Sequence, residues 1–231
     1  MRPSPHLLLV AALAFAASPF LFSGFSGFDP SQYPIPQDDP PVQPVGWAFS
    51  IWGLIYLWLI AHAAFGLLHR SHDDDWQLPR APLIVSLAVG AVWIPVANLS
   101  PIWATLLILW MLSDATIAFL RAPRRDRLWA ETPIGLYAGW LTAASAVSLG
   151  LLAAGWGLMG PIAAAIVALL LALGMAFAVC RKRTSVGYPL GVGWALMGVA
   201  VQNTGDNFQI VTLALAGLAT LAVLTARGYA A

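Results

Sequence analysis

Apolar residues in this chain come in long unbroken runs rather than in alternation with polar ones. Eight runs stand out, at about 7–25, 44–68, 82–99, 101–120, 133–154, 158–180, 185–201 and 208–226. Each approaches the roughly 20 residues that a helix needs to cross about 30 Å of hydrocarbon at about 1.5 Å per residue. A β-barrel would show shorter segments of alternating polarity, whereas these are continuous Leu, Ala, Val and Trp stretches. The pattern predicts an all-α integral membrane protein with about eight transmembrane helices in one bundle.

Composition agrees with that reading. Of 231 residues, 60% are hydrophobic and only 9% charged, against about a quarter charged in ordinary soluble chains. The net charge of +1 gives no global attraction to polyanions, so a nucleic-acid partner is not expected. The lone cysteine, Cys180, leaves no internal disulfide to form. The placement of the charges is more informative than their sum. With a cytoplasmic N-terminus and eight spans, all 11 basic residues fall on one side: Arg2, Arg70, Arg80, Arg121, Arg124, Arg125, Arg127, Arg181, Lys182, Arg183 and Arg227. The opposite side holds Asp29, Asp38, Asp39 and Asp206. This bias predicts cytoplasmic termini in a bacterial inner membrane.

The first run reads either as a span or, with Arg2 ahead of it and small residues at Ala14, Ala16, Ala17 and Ser18, as a cleaved signal peptide. In either case the loop 27–43 lies outside. Its prolines at 30, 34, 36, 40 and 41 make it extended and stiff, either a lid over an opening or a plain connector. Small residues recur at helix-contact spacing at Gly135, Gly139 and Ala143, and again at Gly187, Gly191 and Ala195. Such ladders let helices approach closely in lipid, within the bundle or across a homodimer.

Catalytic signatures are missing. There is no phosphate-cradling glycine loop with its lysine, no H-E-x-x-H, no paired cysteines and no G-x-S-x-G elbow, so no enzymatic activity and no required cofactor or metal are expected. His69, His72 and the aspartates at 73, 74 and 75 read as a solvated turn, and His62 as a hydrogen-bonded bundle histidine.

Tryptophan is what remains: 11 of them, many at span depth rather than in the interfacial belts. At about 100° per residue, Phe49, Trp52, Tyr56 and Ala63 share one stripe of the second run, and Trp47, Ile51, Leu54 and Trp58 a second, lipid-facing one. In the fourth run Trp103, Trp110 and Ile117 share a face with Asp114; in the fifth, Tyr137, Trp140, Ala144 and Ser148 do so. Aromatic stripes with polar tips suit a flat, largely apolar ligand, though they also serve as core filler. Asp114 is the one carboxylate within a run, which makes it a candidate for proton or ligand handling. A proton-coupled transporter using Asp114 and a non-catalytic membrane scaffold are the alternative functions.

These residues carry a family resemblance. Trp47-x-Phe49 and Trp52-x-x-x-Tyr56 after a proline-rich stretch, Asn98 with Trp103, and Tyr137-x-x-Trp140 are similar, in order and on successive spans, to the tryptophan-rich sensory protein family, TspO/MBR, whose animal member is the translocator protein. The gap from Phe49 to Trp52 is one residue shorter than in short family members, and Ser148 stands where they have asparagine. The resemblance implies a five-helix region over 1–154, with three additional helices over 155–231. It implies a membrane-embedded, often dimeric, tetrapyrrole binder acting in sensing or transport, with haem or porphyrin as ligand. Its pocket would use the loop 27–43 and Trp47, Phe49, Trp52, Tyr56, Asn98, Tyr137 and Trp140.

Overall fold

The computed structural model describes residues 3–22, 25 and 27–230, and among them every regular element is helical. The helices are α1 (Pro5–Leu21), α2 (Ile51–His69), α3 (Asp74–Gln77), α4 (Arg80–Ala91), α5 (Trp93–Leu99), α6 (Pro101–Arg121), α7 (Glu131–Gly155), α8 (Pro161–Lys182), α9 (Gly187–Gln202) and α10 (Phe208–Ala230). Local chemistry sets several starts. Ser100 caps α6 by accepting from the Trp103 N–H, and proline fills the first turn of α1, α6 and α8, where a missing N–H costs nothing.

Each of the eight apolar runs contains a helix among the described residues, but these helices are not equally long. The segment Gly46–His69 and the helices α6, α7, α8 and α10 are long and apolar enough to cross a membrane. The third run belongs to a bent pair, Asp74–Ala91 (α3 with α4) and Trp93–Leu99 (α5), meeting at 43°; counted as one span it makes six. Pro95 accounts for the break, since it cannot donate to the carbonyl four residues back. Helices α1 and α9 have 17 and 16 residues, short of a full crossing by length alone. Among the described residues, five of the eight expected spans, or six with the bent pair counted as one, therefore meet the length and apolarity required.

Helix α7 is the centre of the bundle. Nearly every residue from Pro133 to Ser148 is buried, and α2, α6, α8 and α9 pack around it. Helices α1 and α4 lie beyond α2 and α6 on one flank, and α10 beyond α8 and α9 on the other. The two small-residue ladders meet each other: a Cβ on Gly139 would collide with the Tyr188 carbonyl, one on Gly187 with that of Thr132, and one on Gly191 with that of Leu136. Both ladders are thus consumed inside one chain, and a homodimer would have to use other faces.

Connections collect at two ends. At one end Arg70 pairs with Asp126 at 2.9 Å, Arg125 pairs with Asp73, and the Arg80 guanidinium donates to the Pro3 carbonyl at 3.2 Å. There too Arg183 donates to the carbonyls of Leu120 and Ala122 and lies 3.6 Å from Glu131. Hydrogen bonding to Arg70 holds the Asp126 carboxyl below the usual range against its partial burial, with Trp76 and Arg125 adding to the effect. The other end carries the loop 27–43 and the acids Asp29, Asp38, Asp39 and Asp206. The charge separation read along the chain is therefore a physical separation between the bundle's two ends.

Candidate functional site

The loop 27–43 lies across the acidic end as a roof. Asp29 opens a short 3₁₀ turn, Pro30–Gln32, in a capping box: its carboxylate accepts from the Ser31 N–H (2.8 Å) and hydroxyl (2.6 Å), while the Gln32 side chain accepts from the Asp29 N–H. The hydroxyl and amide of Ser31 hold the Asp29 carboxyl below its ordinary value. Gln32 then donates its amide to the carbonyls of Ala97 and Asn98, at 3.0 and 3.1 Å. The Ile35 N–H reaches the Gly155 carbonyl at 2.9 Å, and Asn203 donates to the Pro41 carbonyl at 2.8 Å. The roof is therefore pinned to the ends of α5, α7 and α9.

Two chambers lie beneath it. The upper one, about 680 Å³, is polar and bounded by Asp29, Gln32, Tyr33, Asp39, Gln43 and Asn98. The lower one, about 50 Å³, is aromatic and bounded by Phe25, Phe28, Phe49, Trp52, Trp93 and Trp140. Gly27, Phe28, Gln43 and Leu151 border both, so they form the partition. Gly27 has φ +130°, a conformation open to glycine and not to side-chain-bearing residues, and a Cβ there would press on the Gln43 amide.

The lower chamber is built edge to face. Trp140 meets Trp52 at 6.0 Å and Phe49 at 6.1 Å, both near 85°, and Phe25 meets Trp93 at 4.7 Å and 78°. Such T-shaped contacts favour fixed ring positions. Trp93 is further held by donating its indole N–H to the Ala104 carbonyl at 2.9 Å. By contrast, the indole nitrogen of Trp140 and the phenol oxygen of Tyr33, both buried, have no hydrogen-bond partner among the described residues. One walls the lower chamber and the other the upper. Leaving a buried polar group unsatisfied costs about 1–3 kcal/mol, so each is a point where an incoming partner would be favoured. Burial also pushes the Tyr33 phenol up, keeping it neutral.

The residues expected from the sequence divide. Phe49, Trp52 and Trp140 border the lower chamber together with Ser148, and Asn98 borders the upper one. Tyr56 borders a small adjoining hollow with Trp52, Trp93 and Phe15, where its ring stacks on Trp52 at 5.5 Å. Tyr137 stands behind the wall: fully buried, it donates its hydroxyl at 2.9 Å to Ser86, whose own proton goes to the Met111 carbonyl. Trp47 lies apart, 45% exposed and edge-on to Trp194.

The second stripe holds in part: Trp47, in the 3₁₀ turn Gly46–Ser50, and Leu54 face outward as expected, Trp58 is half-buried with its indole N–H donated to the Leu128 carbonyl, and Ile51, buried at the start of α2, is the exception. Trp103, Trp110 and Ile117 face outward at 63%, 53% and 39% exposure, and the half-buried Asp114 on that side borders neither chamber. Phe25, Phe28 and Trp93 are aromatic wall residues that periodicity did not single out. Trp93 sits at the kink, where no single wheel applies, and Phe28 in the loop, where no period exists. The signal available was Pro95 following a tryptophan five residues before Asn98.

His62, read as a bundle histidine, is one. Its Nδ1–H donates to the Trp129 carbonyl at 2.7 Å and its ring stacks on Trp76 at 5.1 Å, toward the basic end.

A helical membrane bundle with a roofed aromatic chamber at one end is the class of protein that these features define. The model of the family described as TSPO-like protein matches residues 7–227, and the chain belongs to that family. The match runs through α8, α9 and α10 as well as the preceding helices. No curated protein and no solved structure matches the chain.

Proposed function

We propose that this protein binds a flat, largely apolar ligand of the tetrapyrrole kind, with the ring entering between Trp52, Trp93 and Trp140 and its polar edge left in the upper chamber. The observation that carries this reading is the stacking of a polar chamber directly on an aromatic one, with a partition of only a few residues between them. Family membership supports it, since TSPO-like proteins point to tetrapyrrole binding or transport. The Trp140 N–H, unpartnered among the described residues, supplies a donor for a ring nitrogen or a peripheral oxygen.

At about 50 Å³ the lower chamber is far below the roughly 300–1,000 Å³ of typical ligand pockets, so it must widen to take a ring. Ligand entry then requires the roof to part from its anchors at Ala97, Asn98, Gly155 and Asn203. The positive-inside bias orients the roofed end away from the cytoplasm, with both termini cytoplasmic and the bundle in an inner membrane. Sensing or transport of the ligand from that outer side follows from such an arrangement; chemistry on the ligand is not part of the proposal.

The test is a titration of purified protein in lipid nanodiscs with a neutral porphyrin ester, followed by tryptophan quenching and corrected with empty discs. Saturable quenching at one ligand per chain is expected. Quenching that only tracks partition into lipid would refute the site.

A further inference from the structure

The upper chamber has a charge as well as a shape. Asp29 and Asp39 are exposed and border it, and the other polar groups around it are Ser31, Gln32, Tyr33, Gln37, Gln43 and Asn98. None of its lining residues is Lys or Arg. The helix connections that hold the basic residues lie at the opposite end of the bundle. Asp29 is kept ionised by the two hydrogen bonds from Ser31, so its negative charge is fixed in place. The neutral Tyr33 phenol adds a buried hydroxyl without a partner among the described residues. A ligand seated with its ring in the aromatic chamber must put its periphery against this surface.

We infer that the site selects ligands whose polar end is cationic or uncharged and hydrogen-bonding, and disfavours ligands ending in carboxylates. The inference rests on the proposed aromatic site and specifies which ligands of that shape it takes. Two facing carboxylates would repel Asp29 and Asp39 with no cation to relieve them, while an ammonium group would be attracted by both. An uncharged amide or hydroxyl would meet the glutamines, Asn98 and Tyr33 without penalty. Because the acids are exposed, the preference is screened by salt.

The experiment uses one ring with three peripheries: protoporphyrin with its two free carboxylates, its dimethyl ester, and a derivative whose two side arms end in trimethylammonium. Each is titrated against the full chain in phosphatidylcholine nanodiscs, with empty discs as the blank, at 20 mM and 500 mM salt. The variant is Asp29→Asn with Asp39→Asn. Asparagine caps a turn about as well as aspartate, and it tolerates the left-handed backbone of Asp39 at φ +42°, so both changes remove charge and keep the loop.

The expected order at low salt is cationic, then ester, then dicarboxylate, with about tenfold between the extremes. High salt and the double variant should each bring the three together. Equal affinities in the native protein, or tightest binding by the dicarboxylate, would overturn the charge preference while leaving the aromatic site standing. Saturable quenching by none of the three would overturn the site and the preference with it.

Discussion

Gly139 and Tyr188 meet backbone to backbone, the glycine leaving no room for a methyl group beneath the tyrosine carbonyl. This contact, repeated at Gly187 with Thr132 and at Gly191 with Leu136, sets how closely α7 and α9 approach. It joins the C-terminal helices to the helix that walls the aromatic chamber, and Ala195 of α9 itself borders that chamber. The last helices are thus part of the site's support, consistent with a family match that extends through them.

Gly139→Ala is expected to destabilise the protein by about 1–3 kcal/mol, the usual cost of overpacking a tight contact. Gly193→Ala, on the same α9 and with open space around it, should be close to neutral. Thermal unfolding of both variants in detergent checks this. Equal stabilities would mean that the α7–α9 approach is looser than described.

Tyr137→Phe should lower stability by about 1 kcal/mol, a typical buried hydrogen bond, and leave porphyrin affinity within twofold of native. Its hydroxyl serves Ser86 and its ring supports Phe15 and Trp52 from behind, without bordering the chamber. A large loss of affinity with unchanged stability would place Tyr137 at the ligand instead.

Asp126→Asn addresses the basic end. Asp126 has φ +56°, which asparagine also tolerates, so the substitution removes the charge that pairs with Arg70 and keeps the turn. Native stability should exceed that of the variant by about 1 kcal/mol at pH 7. Because the folded carboxyl is held low, this advantage is full above the ordinary aspartate value of 3.8 and fades as pH falls from there through the lower folded value. Denaturation midpoints of the two proteins between pH 3 and 7 check the sign. An advantage that grew on acidification would contradict it.

Much of this architecture was legible in the chain, and the parts that were not have physical reasons. Long apolar runs located every major helix, and the charge distribution separated the two ends before any contact was known. Trp52, Trp140 and Ser148 converge on one chamber because a 3.6-residue period holds within α2 and α7, and Phe49 joins them from the turn that leads into α2. The same period puts Ile51 on the outer stripe although it is buried, and it misleads across the kink at Val92, where Trp93 turns inward. On α6 periodicity gathered Trp103, Trp110 and Asp114 correctly onto one face, but a period cannot say whether a face meets protein or lipid; this one is exposed. The partition at Gly27 and Gln43 depends on a loop's course, which no pattern of polarity records.

The central claim is that a ligand's ring enters among Trp52, Trp93 and Trp140, and tryptophan variants test it most directly. In porphyrin-ester titrations, Trp52→Ala and Trp140→Ala should each weaken binding about tenfold or more, equivalent to about 1.4 kcal/mol. Trp103→Ala and Trp110→Ala, on the outward face of α6, should stay within twofold of native. Undiminished binding in the first pair, or an equal loss in the second, would contradict the account.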